Sequence, residues 1–153
     1  MNRRMLFGGV ALVVVAAAAT THTGIWDRFR GEWRCSRIEV EHSISSVSPD
    51  GTKWDIGRNG APDPYGRLAI VRGGQTVASE SVGRRVDTFS FTAPFFRKQG
   101  TTLHRDDVVS IRLFDEDLGD DDVIGTLDIT VSGRSMSAAT DNDAFSATVT
   151  CVE

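Results

Sequence analysis

Short runs that alternate apolar and polar residues follow one another from residue 35 to the end of the chain. In the first run, 35–44, Ile38, Val40, His42 and Ile44 fall on one face. A period of two with one apolar face is typical of a half-buried β-strand. Because turn signals separate the runs and no convincing helical period appears, the pattern predicts an all-β antiparallel sandwich.

Further alternating runs complete a predicted sandwich of seven or eight strands. Gly73 and Gly74 join two of the runs as a hairpin, and the Ser-Pro-Asp-Gly sequence at 48–51 is a turn. The predicted strands cover residues 35–44, 67–72, 75–82, 86–91, 108–114, 123–131 and 145–152.

The N-terminus has the composition of an export signal. Arg3 and Arg4 precede an unbroken apolar or small-residue run over 5–19 that ends in four alanines. This run is 15 residues long, shorter than the roughly 20 that span a bilayer. An uncleaved membrane anchor and a buried core helix are the alternatives to a cleaved signal. The predicted organisation is a signal peptide or anchor over 1–19, a tether over 20–34 and a domain over 35–153, in a secreted or periplasmic protein.

Two cysteines, Cys35 and Cys151, lie near the two ends of the predicted domain. An exported chain meets oxidising conditions, under which a disulfide persists. We therefore predict an intramolecular Cys35–Cys151 disulfide, with two buried free thiols as the alternative. Closing so long a loop stabilises a fold by roughly 4 kcal/mol in the chain-entropy model.

Charge and motif content exclude several classes of function. The formal net charge of −4 argues against a general nucleic-acid binder, which usually carries a strong basic excess. The three histidines, at positions 22, 42 and 104, are widely separated. The sequence has no nucleophile elbow, phosphate-binding glycine loop or zinc-ligand spacing. We predict that the protein is not an enzyme and binds no nucleic acid.

Two acidic clusters, at 54–65 and 113–125, lie where loops between predicted strands should be. Carboxylates repel one another at close range, so a fold that gathers them needs a cation to neutralise their charge. A set of oxygen ligands favours calcium over zinc. The alternative is that an acidic run is an ordinary solvated loop.

The second cluster does not match an EF-hand loop. If such a loop began at Asp115, its fifth, sixth and twelfth positions would be Gly119, Asp120 and Thr126. An EF-hand requires Asp or Asn, Gly and Glu at those positions.

The motifs within the two clusters resemble those of C2 domains, the calcium-dependent membrane-binding β-sandwiches of protein kinase C and the synaptotagmins. The first cluster has Asp-Pro-Tyr at 63–65 in a Gly-rich loop with an earlier Asp, and the second has Phe-Asp-x-Asp at 114–117 followed by Asp-x-Ile-Gly at 122–125. The resemblance implies an eight-stranded antiparallel Greek-key sandwich, and the short end of the chain fits the permuted (type II) topology slightly better.

The resemblance also implies a site of two or three Ca²⁺ ions held by five aspartates in the apical loops. Asn59 is an alternative ligand to the first of these, and Asp120 or Asp121 to the last. Carried over to this sequence, the implied metal ligands are Asp55, Asp63, Asp115, Asp117 and Asp122.

The implied function is an exported calcium-binding module whose acidic apical loops bind an anionic phospholipid membrane. Lipid phosphates would complete the coordination of calcium ions that the loops hold only in part. The alternative is a calcium-stabilised structural or protein-interaction domain that binds an extracytoplasmic protein and no lipid. A third reading is a calcium-free adhesive sandwich in which the aspartates only solubilise the loops.

Overall fold

The computed structural model describes residues 31–54, 60–117 and 121–153. The predicted signal peptide, and the predicted tether up to residue 30, lie outside the described residues. None of the described residues belongs to a helix long and apolar enough to cross a membrane. The ten strands of this part of the chain are β1 (Glu32–Cys35), β2 (Arg37–Ile44), β3 (Pro64–Arg72), β4 (Gln75–Val82), β5 (Ser90–Phe95), β6 (Thr101–His104), β7 (Val108–Asp115), β8 (Asp122–Thr130), β9 (Ser135–Ala139) and β10 (Phe145–Val152).

Eight of these strands form two four-stranded antiparallel sheets. The first sheet has the order β5-β2-β10-β9, and the second has the order β4-β3-β7-β8. The hairpins β3–β4, β7–β8 and β9–β10 each lie within one sheet, whereas the chain crosses from one sheet to the other between β2 and β3, between β4 and β5, and between β8 and β9. β1 and β6 form an additional two-stranded ladder. The predicted all-β antiparallel sandwich is confirmed, and its last strand, β10, lies along the full length of β2.

The inward faces of the two sheets share one apolar core. Ile38 and Val40 of β2 are fully buried, whereas Glu41 between two inward positions is exposed, which confirms the predicted alternation. Burial of one such apolar side chain contributes roughly 1.5–3 kcal/mol to folding. The same pattern recurs in β7, where Val109, Ile111 and Leu113 are fully buried.

The strand predicted at 86–91 is wrong, because the strand in this region is β5 at Ser90–Phe95. Asp87 has a φ of 49°, a left-handed conformation that ends an extended run. The backbone N–H of Thr88 donates to the carbonyl oxygen of Pro62 at 2.9 Å, so this segment belongs to a loop. The sequence pattern also misses β6 and β9, which are only 4 and 5 residues long.

β1 brings the end of the predicted tether into the fold. Glu32–Cys35 pairs with β6, and the indole of Trp33 is buried in the core. Ser36 interrupts the strand predicted over 35–44 and separates β1 from β2. The ordered domain therefore includes residues that the sequence pattern assigns to the tether.

An ion pair with a buried carboxylate fixes the turn between β6 and β7. Arg72, the last residue of β3, donates through Nε and Nη2 to the two carboxylate oxygens of Asp107, each at 2.8 Å. The backbone N–H of His104 donates to the same carboxylate at 2.8 Å. Burial opposes ionisation of Asp107, but these hydrogen bonds outweigh it and hold the pKa of Asp107 below its ordinary value.

The predicted disulfide is present between Cys35 of β1 and Cys151 of β10. Their Cα atoms are 5.1 Å apart and the bond spans 116 residues of sequence. It lies at the end of the sandwich where β10 finishes and where β1 pairs with β6. We call this end, formed by β1, β6 and the disulfide, the base.

We expect the Cys35→Ala/Cys151→Ala double variant to lose about 4 kcal/mol of unfolding free energy, because the unfolded chain regains the entropy of a long loop. Urea unfolding of the variant beside the oxidised wild type measures this difference. Equal urea midpoints for the two proteins would contradict a stabilising role for the bond.

His42 is a polar side chain enclosed in the core. It is fully buried, and its ring stacks on Phe91 at 4.3 Å and lies 6.1 Å from the ring of Phe145. Neither ring nitrogen makes a hydrogen bond of normal geometry among the described residues. Burial lowers the pKa of His42 to about 4, so the folded protein holds it neutral. The placement on the apolar face agrees with a structural residue, although one without the polar partners expected of a buried histidine.

We expect the unfolding free energy to fall as the pH drops from about 6.5 to about 4. In this window the unfolded chain binds a proton at His42 and the folded chain does not, so acid favours unfolding. The shift to about 4 corresponds to a loss of about 2–4 kcal/mol. Urea unfolding at several pH values measures it, with His42→Leu as the variant that removes this contribution. A wild-type slope identical to that of His42→Leu would contradict the assignment.

Candidate metal centre at the acidic pole

The described residues of both acidic clusters lie at the end of the sandwich opposite the base. β3 begins with Pro64 opposite Asp115, the last residue of β7, and β8 begins with Asp122 opposite the same residue. In the other sheet, Ile44 at the end of β2 pairs with Phe145 at the start of β10. We call this end the acidic pole. Its described residues belong to the loops β2–β3, β4–β5, β7–β8 and β9–β10.

Asp63 is a predicted ligand that contacts two other segments of the acidic pole. Only 7% of the residue is exposed. One carboxylate oxygen accepts a hydrogen bond from the backbone N–H of Asp87 at 2.8 Å, and the other accepts one from the guanidinium of Arg84. The carboxylate therefore joins the β2–β3 loop to the β4–β5 loop.

Asp115 lies beneath Asp63 and is fully buried. Its Oδ1 accepts a hydrogen bond from the backbone N–H of Asp63 at 2.6 Å. The backbone N–H of Glu116 donates to the carbonyl oxygen of Asp63 at 3.2 Å. The two acidic motifs, 52 residues apart in sequence, are thus in direct contact.

A glycine permits the strands that carry these motifs to approach closely. Gly66 of β3 lies opposite Leu113 of β7, and a Cβ at this position would lie 2.0 Å from the carbonyl oxygen of Arg112. Because no side chain fits at that distance, β3 and β7 meet here only through a glycine.

The second acidic loop is held through Tyr65 and Asp121. The hydroxyl of Tyr65 donates to the carboxylate of Asp121, and the backbone N–H of Asp117 donates to the same carboxylate at 3.4 Å. The hydrogen bond to Asp121 raises the pKa of Tyr65 above its ordinary value. Asp121, which the sequence offers as an alternative metal ligand, thus accepts hydrogen bonds that tie the β7–β8 loop to β3.

The remaining predicted ligands differ in where they lie. Asp117 is half-buried and Asp122 is exposed at the start of β8. Asp55, Asn59 and Asp120 lie outside the described residues. Across 31–54, 60–117 and 121–153, no three acidic, histidine or cysteine side chains form a group that could hold a metal ion.

Arg84 also lies at the acidic pole, a position that the sequence does not predict. Its guanidinium contacts Asp63 through Nη2 and the carboxylate of Glu116 through Nε, the latter at 2.6 Å. No motif marks this arginine, because its contacts arise only when the β4–β5 loop folds against the other two loops. The one signal in sequence is its position between two predicted strands.

The charge state of Asp63 follows from these contacts. Burial favours the neutral acid, but the hydrogen bonds from Arg84 and from the N–H of Asp87 favour the carboxylate and hold its pKa below the ordinary value. Asp63 is therefore ionised at neutral pH, the state in which a carboxylate binds a hard cation.

The described residues fit calcium in ligand type, since all candidate donors are oxygens, but among them no three such side chains form a group that could hold the ion. The backbone N–H of Asp63 donates to the carboxylate of Asp115 at 2.6 Å, which brings the two acidic motifs together. Asp117 follows Asp115 by two residues on the same loop. One of the negative charges that a cation would neutralise here, that of Asp63, is already paired with Arg84.

Comparisons with known proteins give matches only among solved structures. No protein-family model and no curated protein matches the chain. One matching structure is a C2 domain, with 11% identity over 74% of this chain and 94% of that chain and a TM-score of 0.45. The tandem C2 domains of extended synaptotagmin 2 match with 18% identity over 95% of this chain and 46% of that chain, with a TM-score of 0.45.

A third matching structure is human GIVD cytosolic phospholipase A2, with 14% identity over 80% of this chain and 18% of that chain and a TM-score of 0.46. The two four-stranded sheets, with both acidic motifs at one pole, agree with the fold predicted from those motifs. The fold is a C2-like β-sandwich.

We expect Asp63→Asn to lower the unfolding free energy by about 1–3 kcal/mol in the presence of chelator, since it removes the charge from a buried, doubly hydrogen-bonded carboxylate. The matched control is Asp128→Asn on the exposed face of β8, which we expect to change stability by less than about 0.5 kcal/mol. Urea unfolding measures both variants. Equal stabilities for them would show that the contacts of Asp63 do not hold the pole together.

Proposed function

We propose that the protein is an exported calcium-binding module that binds anionic phospholipid through its acidic pole. The observation that carries this proposal is the hydrogen bond from the backbone N–H of Asp63 to the carboxylate of Asp115, which brings the two acidic motifs together. Calcium accepts six to eight oxygen ligands, and the loops supply carboxylates on one side only. Lipid phosphate oxygens would fill the remaining positions, so the ion would join two negative partners.

Apolar side chains near the acidic pole support a membrane partner. Val86 in the β4–β5 loop is 64% exposed, and Val123 at the start of β8 is 48% exposed. Full burial of one such side chain contributes roughly 1.5–3 kcal/mol, so the pair would add to an electrostatic contact without dominating it. Two further apolar residues of the acidic clusters, Ile56 and Leu118, lie outside the described residues.

The disulfide supports a site of action outside the cytoplasm. Cys35 and Cys151 are bonded, and such bonds persist in oxidising compartments. Calcium sites of extracellular modules commonly work at dissociation constants of about 10⁻⁴–10⁻³ M. We therefore propose a weak calcium site suited to an extracytoplasmic protein, and a binding role rather than a catalytic one.

The test is sedimentation of the full chain with vesicles of phosphatidylserine and phosphatidylcholine, in calcium, in magnesium and in chelator. We expect a calcium-specific increase over the chelator baseline. Any calcium-independent binding of the apolar run at 5–19 to the vesicles is included in the chelator baseline. We expect the Asp117→Asn/Asp122→Asn double variant to lose this calcium-specific increase in sedimentation, because it removes the charges of two predicted ligands. Asp128→Asn, the control on the exposed face of β8, should keep the increase.

Two results would contradict the proposal in different ways. Calcium uptake, seen as a calcium-specific rise in Tm, without any movement to vesicles would assign a calcium-stabilised structural or protein-interaction domain. No effect of calcium on Tm or on sedimentation up to about 10 mM, well above the range of weak extracellular sites, would remove the metal from the function altogether.

A further inference from the structure

We propose that Arg84 is a built-in counter-ion of the acidic pole that competes with calcium for Asp63, and so sets the calcium concentration at which the pole is loaded. The proposal rests on the calcium-binding function proposed above. It adds a residue of opposite charge to a site that is otherwise described only by its carboxylates.

The geometry places the guanidinium of Arg84 between two acidic loops. It contacts Asp63 of the β2–β3 loop and Glu116 of the β7–β8 loop, the latter at 2.6 Å. It also comes from a third loop, β4–β5, so one cation joins all three. A divalent ion shared by the loops would perform the same bridging.

Both carboxylate oxygens of Asp63 are already engaged. Oδ2 accepts from Arg84 and Oδ1 from the N–H of Asp87. A calcium ion that binds Asp63 through both oxygens must displace at least one of these hydrogen bonds. The bond to Arg84 is the one that can open, since half of the Arg84 side chain is exposed whereas the N–H of Asp87 belongs to the backbone of a turned loop.

Charge balance explains why the pole has a resident cation. The carboxylates of Asp63 and Glu116 both lie against the guanidinium of Arg84, and like charges at such close range destabilise a fold. Arg84 lowers this repulsion when calcium is absent. Its hydrogen bond to Asp63 also raises the pKa of Arg84, so the guanidinium stays charged throughout the useful pH range.

The neighbouring residue provides a matched control. Arg85 carries the same charge one position along, but its guanidinium lies 5.9 Å from the centre of the Phe91 ring, and no ion pair joins it to a carboxylate of the described residues. Arg84→Gln and Arg85→Gln therefore change the net charge equally, while only the first removes the contact with Asp63. Arg84→Lys keeps the charge and loses the two-armed geometry.

The experiment measures Tm in chelator and the calcium dissociation constant by titration calorimetry, for the full chain and these three variants at about 0.15 M salt. In chelator, we expect Arg84→Gln to melt about 2–5 °C below both the wild type and Arg85→Gln. We expect its calcium dissociation constant to fall about two- to fivefold, the range of a partly exposed ion pair. Arg84→Lys should lie between Arg84→Gln and the wild type.

Equal calcium affinities for Arg84→Gln and Arg85→Gln would overturn the competition, because charge alone would then account for any change. Weaker calcium binding by Arg84→Gln would also overturn it, since Arg84 would then support the site. If none of the proteins binds calcium, the proposed function fails and the competition fails with it. A lower chelator Tm for Arg84→Gln alone would then still show that Arg84 is the counter-ion of the pole.

Discussion

The arrangement of the acidic pole depends on the hydrogen bond from the backbone N–H of Asp63 to the buried carboxylate of Asp115. This bond ties the start of β3 to the end of β7 and brings two acidic loops together. A carboxyl group without access to water requires such a donor, since a buried polar group without a hydrogen bond is costly. Arg84 and the N–H of Asp87 then hold Asp63 from the other side.

Two ion pairs of the sandwich differ in how the guanidinium is shared. Arg72 donates to both oxygens of one carboxylate, that of the almost fully buried Asp107, so this pair fixes the turn between β6 and β7. Arg84 at the acidic pole contacts two different carboxylates, those of Asp63 and Glu116, so this pair joins separate loops.

The sequence predicts the parts of the fold that depend on local pattern. The alternation in β2 and β7 identifies their buried faces, and the Gly73-Gly74 turn identifies a hairpin, because a two-residue period and a glycine turn are properties of a few neighbouring residues. The segment 86–91 fails for the opposite reason. Its apolar residues suggest a strand, but Asp87 and Thr88 bond to the β2–β3 loop, a contact that no local pattern records.

The residues of the candidate site also differ in whether a local sequence pattern predicts their position. Asp63 and Asp115 could be predicted because their motifs flank strands, and their contact confirms that the two clusters meet. Arg84 could not be predicted, since its partners lie 21 and 32 positions away and belong to other loops. The isolated His42 shows that a core position can be identified from alternation even where its missing polar partners cannot.

The base and the acidic pole lie at opposite ends of strands of eight residues, such as β7, so about 25 Å separates them at the usual rise per residue. Gly31 enters the fold at the base, where its carbonyl accepts the N–H of Arg105. A domain held by the chain that precedes Gly31 consequently turns its carboxylates away from the point of attachment. A contact made at the acidic pole therefore leaves the base, where Gly31 joins the fold, clear of the bound surface.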